Sequence, residues 1–340
     1  MPSIVTHHLF GRQVYAELEA VIRGSDDQTS NSNACKDAFL LGNIGPDPLF
    51  CMKVLPRRTP FRTLGSIMHI RRPAQLLATF HEQFIECASN AERGGAAGSA
   101  ETAQGKAAQS DMPNALKAYA LGFLCHYLLD STVHPLVNAQ KIAYCKAGGE
   151  GMSRSLVGGS VHALIETELD EYLLTKMLGV TVNEFVPHRE TLPCAARELN
   201  VISEHFAKAA SQAYGFPVPN WLFAESVRIY RLAQHSLDAK RDGVRSHFDY
   251  ARVVGKHYLH VLALSHSARL RPETPFANDD HLPFPHPYEE GKVVDASFDE
   301  LYDQAFRRAL ETIPQFARAD FSPSDCAALA NNTNFSGERI

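Results

Sequence analysis

The 340-residue sequence contains no apolar run of about 18 residues, the length a helix needs to span a bilayer, which excludes an integral membrane helix at the level of sequence. It has no surplus of positive charge. Against 38 Asp and Glu stand 33 Lys and Arg, giving a net charge of −5 and a pI near 6.3, so broad affinity for nucleic acid or anionic membranes is disfavoured. With a single Trp there are few large platforms on which bases could stack, and no stable nucleic-acid complex is expected. The seven Cys have no paired spacing, and Cys51, Cys87, Cys125 and Cys145 lie in apolar runs. They read as reduced thiols rather than a disulfide framework or a zinc-thiolate site. The opening MPSIVTHHLFGRQVYAELEA lacks a basic stretch, a continuous apolar stretch and a cleavage site, so the expectation is a cytoplasmic protein that keeps its first helix.

Alternating β-patterns are also missing, and what remains is helical periodicity. With 45% apolar residues the core can be large. Residues 9–23, 73–91, 113–134, 160–178, 191–214, 220–240 and 243–270 are expected as helices. Pro73 suits the start of the second, Ser160 the N-cap of the fourth and Gly179 its stop. SFDE at 297–300 is a capping box that opens a last amphipathic helix to about residue 317. Residues 92–112 have no apolar face, and 145–160 is glycine-rich and close in sequence to the charged stretches on either side of it; both read as flexible loops inside one all-α domain spanning 1–340, the second a candidate lid or substrate loop.

Chemistry concentrates in two short stretches. In GFLCHYLLDSTVHPLV, His126, Asp130 and His134 are four residues apart, and in SVHALIETELD so are His162 and Glu166. Each four-residue step on an α-helix turns a side chain only about 40° from the last, so such residues share one stripe and can grip an ion. With 16 His in the chain, random placement yields about 0.04 His-x3-Asp-x3-His triplets. Pro135 removes a helical hydrogen bond and disfavours helix at His134, so the helix is expected to end or kink there, turning His134 towards a second ion with His162 and Glu166. Two His and one carboxylate with an open position describe a catalytic rather than a structural zinc site. The bland alternative is a pair of hydrogen-bonded core histidines beside solvated carboxylates. It leaves costly groups buried without a function.

The order of THHLFG at 6–11, GPD at 45–47, an isolated His69, HYLLDSTVHP and VHALIE resembles the zinc-dependent phospholipase C family, whose fold is shared with single-strand-specific nucleases. SFDELYDQAF looks like that family's closing helix. The resemblance implies one all-α domain with about three zinc ions in a cleft. Asp47, His69, His126 and Asp130 would hold the first ion. Asp130 would bridge to a second near the N-terminus, and His134, His162 and Glu166 would hold the third. Secreted members use a processed N-terminal residue as a ligand. Here His7 is the candidate substitute, with His8 the alternative.

A phosphoric ester hydrolase is therefore expected, of phospholipase C type, acting on a small phosphodiester or phospholipid head group through a metal-bridging hydroxide. Asp47 and Asp130 are the catalytic candidates. The other readings are a single-strand nuclease-like phosphodiesterase and a non-catalytic, zinc-stabilised scaffold. Arg57, Arg58, Arg62, Arg71 and Arg72 bracket His69; such a charged run is by default solvated surface, and a phosphate contact is the alternative. The later histidines form no set, and Asp170 lies on the Glu166 face as a supporting group.

Overall fold

A computed structural model describes residues 4–24, 32–54, 60–95, 103–147, 155–192, 194–236 and 265–340. The chain is all-α. Its main helices are α1 (Ile4–Arg23), α2 (Ser32–Gly42), α3 (Leu64–Ile70), α4 (Pro73–Gly95), α5 (Ala103–Ala147), α6 (Ser155–Leu178), α7 (Pro187–Glu190), α8 (Ala196–Tyr214), α9 (Leu222–Ser236), α10 (Phe298–Phe316) and α11 (Pro323–Ala330). A 3-10 turn covers Asp47–Val54, and the only sheet among the described residues pairs Phe284–Pro285 with Val293–Val294, antiparallel.

Helix α5 is the axis of the molecule. From Ala118 to Val133 it is buried all the way round, which is why its sequence reads as continuously apolar instead of one-sided. Helices α1, α2, α4, α6 and α10 pack on it. The α2 crossing is close because glycines meet there. A Cβ at Gly122 would stand 2.0 Å from the Phe39 carbonyl oxygen, and one at Gly42 would stand 2.2 Å from that of Tyr119. Backbone therefore lies on backbone, and the chain leaving α2 enters the site directly above His126.

Several boundaries differ from the sequence expectation. Helix α5 does not end at Pro135; it runs on to Ala147 with that proline inside. Packing on several sides outweighs the roughly 3 kcal/mol cost of an internal proline. The expected loop at 92–112 is shorter, since α4 reaches Gly95 and α5 begins at Ala103 in an alanine-rich stretch of high helix propensity. Likewise 145–160 is helical at both ends, because α5 extends to Ala147 and α6 starts at Ser155, five residues before the expected cap at Ser160. Residues 96–102 and 148–154 lie outside the described residues, as do 237–264, which hold most of the helix expected over 243–270. From Ser265 to Leu270 the backbone is irregular. The capping box at Ser297 and Glu300 is present, and Gly179, at φ +67°, terminates α6.

Candidate metal centre

Four residues of helix rise about 6 Å, so His126 and His134 stand about 12 Å apart along α5 with Asp130 midway. That separation, rather than a kink at Pro135, divides the stripe into two ends. At the His126 end, α1 brings His7, the 3-10 turn brings Asp47 and α3 brings His69. At the other end α6 brings His162 and Glu166.

All eight side chains come together. Asp130 presents Oδ1 to His7 Nε2 at 3.1 Å and Oδ2 to His126 Nε2 at 3.2 Å and His69 Nε2 at 3.9 Å. His69 Nε2 also lies 3.1 Å from Asp47 Oδ1. Glu166 Oε1 is 3.1 Å from Nε2 of both His134 and His162. The donor atoms group as His7, Asp47 and His126; His69, His126 and Asp130; and His134, His162 and Glu166, each within 4.8 Å.

The tautomers say what should sit between them. His69 Nδ1–H donates to the Gly65 carbonyl (2.7 Å), His126 Nδ1–H to that of Asn43 (3.2 Å) and His134 Nδ1–H to that of Phe335 (2.9 Å). In the neutral rings each Nε2 is then a lone pair, aimed at a carboxylate oxygen about 3 Å away. Two acceptors do not attract each other, so a proton or a cation must lie between them. Among the described residues His126 Nε2, His7 Nδ1 and Glu166 Oε2 are buried without a hydrogen-bond partner. Imidazoles held at Nδ1 by carbonyls, with Nε2 converging on carboxylates, fit a zinc shell.

The family model for zinc dependent phospholipase C matches residues 6–215. The chain belongs to the zinc-dependent phospholipase C family. No curated protein and no solved structure matches it. At family level it is a zinc-dependent hydrolase, and the matched span contains all eight of these residues.

Without metal, protons take the cations' place in this phospholipase C-like centre. Burial acts to raise the Asp130 carboxyl, but the charges of His134 and His126 and the hydrogen bond with His7 outweigh it and hold Asp130 well below the usual carboxylate range. Burial likewise opposes charge on His134, yet Asp130 and Glu166 push it up to about 9. His126 and His162 are lowered, with burial the largest cause. The arrangement is a set of anionic carboxylates waiting for positive charge.

The centre opens into a cavity of about 200 Å³, whose remaining wall includes Phe50, Ser66, Ile70 and Ser336. His8 is elsewhere, tilted against Phe185, where burial with the charges of Arg12 and Lys36 lowers it to about 4. Of the arginines near His69, Arg62, Arg71 and Arg72 do not line the cavity, and Arg72 donates to the Ala213 carbonyl; Arg57 and Arg58 lie outside the described residues. Asp170 does support the centre. Its buried carboxylate accepts from Val5 N–H (3.3 Å), Thr6 N–H (2.8 Å), Thr6 Oγ1 (2.6 Å) and His266 Nε2 (2.9 Å), so α6 caps the start of α1 and thereby places His7. Sequence reasoning missed His266, Asn43, which also donates from Nδ2 to the His7 carbonyl, and Phe335. Their contributions are backbone carbonyls or contacts between distant segments, for which residue type and spacing give no signal.

Proposed function

We propose that this protein is a phospholipase C-type phosphodiesterase that holds three zinc ions. His69, His126, Asp47 and Asp130 take one ion, and Asp130 shares a second with His7. His134, His162 and Glu166 take the third. The observation that carries this reading is the divided carboxylate of Asp130, with one oxygen towards His7 and the other towards His126 and His69. A carboxylate that offsets the repulsion between two dications needs that geometry.

Bound zinc supplies charge for the phosphoryl oxygens and brings the pKa of a coordinated water down to about 7. The chain's residues do the rest. Asp130 fixes the spacing of the centre, and Asp47 orients the attacking water and accepts its proton. The cavity, about 200 Å³, suits a small head group rather than a polymer, and Phe50 is the only aromatic side chain other than histidine among its described lining residues. A nuclease would want several such platforms. The seven free thiols support a reducing compartment such as the cytoplasm, and no helix among the described residues is long and apolar enough to cross a membrane. We also read the chain as one domain, since α5 packs against α1 and α2 from its beginning and α10 from near its end.

The test compares zinc-loaded wild type with Asp130→Asn and Glu166→Gln on phosphocholine, nucleotide and simple aryl diesters. Wild type should turn over at least one of them. Asp130→Asn, nearly isosteric, should lose at least one ion and roughly 10²-fold or more in kcat, whereas Glu166→Gln should weaken one ion only. A zinc-replete wild type inactive on the whole panel would sink the enzyme reading in favour of a zinc-stabilised scaffold.

A further inference from the structure

Beyond α11 the chain turns back onto α5. Thr333 and Arg339 form an antiparallel bridge, and the Asn334 N–H donates to the Glu338 carbonyl at 2.8 Å. The fully buried Asn334 side chain accepts from the N–H groups of Ser336 (2.9 Å) and Glu338 (3.1 Å) and donates to the Glu338 carboxylate (3.1 Å). A buried amide satisfied within its own turn fixes the shape of that turn independently of what it packs against.

What it packs against is the metal centre. Phe335 is wholly buried; its N–H donates to the His69 carbonyl at 3.1 Å, and its carbonyl accepts His134 Nδ1–H at 2.9 Å. Its ring centroid lies 5.2 Å from that of His69 and 5.6 Å from that of His126. The neighbouring Ser336 lines the cavity. On the far side Gly337, at φ +77°, seats on the notch that Pro135 makes in α5. A Cβ there would stand 2.5 Å from Pro135 Cγ and 3.1 Å from the Ser131 carbonyl oxygen, the one that Pro135 deprives of its helical donor.

We propose that the 333–339 turn is a positioning element of the metal centre, which sets the His134 ring for the ion it shares with His162 and Glu166 through the Phe335 main chain. The proposal rests on reading those three side chains as one ion's shell, and it concerns residues outside the span that the family model matches. His69 finds its carbonyl four residues earlier in its own helix, and His126 finds one at the end of α2. His134 takes its carbonyl from 201 residues further along the chain. Such a partner fixes the direction of the Nε2 lone pair and raises its basicity, and its loss costs roughly 10- to 100-fold in metal affinity.

The experiment uses the full chain as wild type, Phe335→Ala, Phe335→Leu and Gly337→Ala. Each ion's affinity is read by competition with a chromophoric chelator, the cobalt(II)-substituted visible spectrum reports ligand geometry, and melting of the metal-free proteins measures any purely structural cost. Phe335→Ala should weaken one ion roughly 10- to 100-fold and shift the cobalt band of that site while the others stay bound. Phe335→Leu, which keeps an apolar anchor, should recover most of that affinity. Gly337→Ala keeps the ring but forces the turn off Pro135, so it should lose the same ion, and it decides the matter if Phe335→Ala does not fold. Variants that melt earlier yet bind every ion as wild type does, with an unchanged cobalt spectrum, would reduce the turn to packing and overturn the proposal. A wild type that binds no ion at His134 would overturn the three-ion reading and this proposal with it.

Discussion

At the residue scale, the informative pattern is which nitrogen of each histidine is committed. His69, His126 and His134 spend Nδ1–H on backbone carbonyls and aim Nε2 at carboxylates. Spacing along α5 and α6 made five ligand candidates legible in the sequence. Asp47, His69 and His7 came only from the order of motifs in the family resemblance, because each stands alone in its own segment. The carbonyls of Asn43, Gly65 and Phe335 were not legible at all, since every residue has one. The charge state of His134 has a measurable consequence. In the metal-free protein it is raised to about 9 from an ordinary 6.5. Its protonated form therefore contributes stability that is fully present below pH 6.5 and is lost as pH rises through about 9. Zinc binding must displace that proton at pH 7, so titrating metal-free protein with zinc in weak buffer should release protons. The affinity of the third ion should strengthen as pH rises towards 9. A titration with no proton release at pH 7 would contradict this assignment.

At the element scale, apolar periodicity identified α1, α4, α5, α6, α8 and α9 and left α2, α3, α7 and α11 unread, whereas helix ends followed from partners that periodicity does not encode. Helix α1 begins at Ile4 instead of residue 9 because Asp170, on α6, accepts the N–H groups of Val5 and Thr6. Helix α5 continues through Pro135 because it is enclosed by other helices, and the notch is filled by a turn two hundred residues away. By contrast the capping box at Ser297 is local, and it was readable as such. The Asp170 clamp joins three segments, so removing its charge should act on more than the start of one helix. Asp170→Ala leaves two backbone N–H groups, a hydroxyl and the His266 ring without their buried acceptor. It should cost about 3 kcal/mol of stability, with Asp170→Asn less severe. Because α1 carries His7, the same variants should weaken the ion next to His7 more than the one held by His162 and Glu166. Denaturant unfolding together with zinc counts per chain checks both parts, and a uniform loss of all ions would argue against a local clamp.

At the scale of the whole molecule, the candidate ligands come from α1, the 3-10 turn at Asp47, α3, α5 and α6, elements whose sequence positions run from His7 to Glu166. Around Asp130 stand His7, His69, His126 and Asp47, anionic or lone-pair-rich groups that protonated histidine helps to hold together. Metal removal should therefore loosen the contacts between these elements while leaving each helix intact. Each ion that binds only the folded chain stabilises it by RT ln(1 + [Zn]/Kd), about 4 kcal/mol when free zinc is a thousandfold above Kd. Chelated protein should accordingly melt well below the zinc-loaded form, by an amount that grows with free zinc, and its far-ultraviolet helical signal should change little before melting. Hydrogen exchange should rise first at α1 and α3, which reach α5 through His7 and His69, and least in the middle of α5, where the amides are buried on every side. If chelation left the melting temperature unchanged, the clustered histidines and carboxylates would have to be held by protons alone, and the case for a resident metal centre would fail.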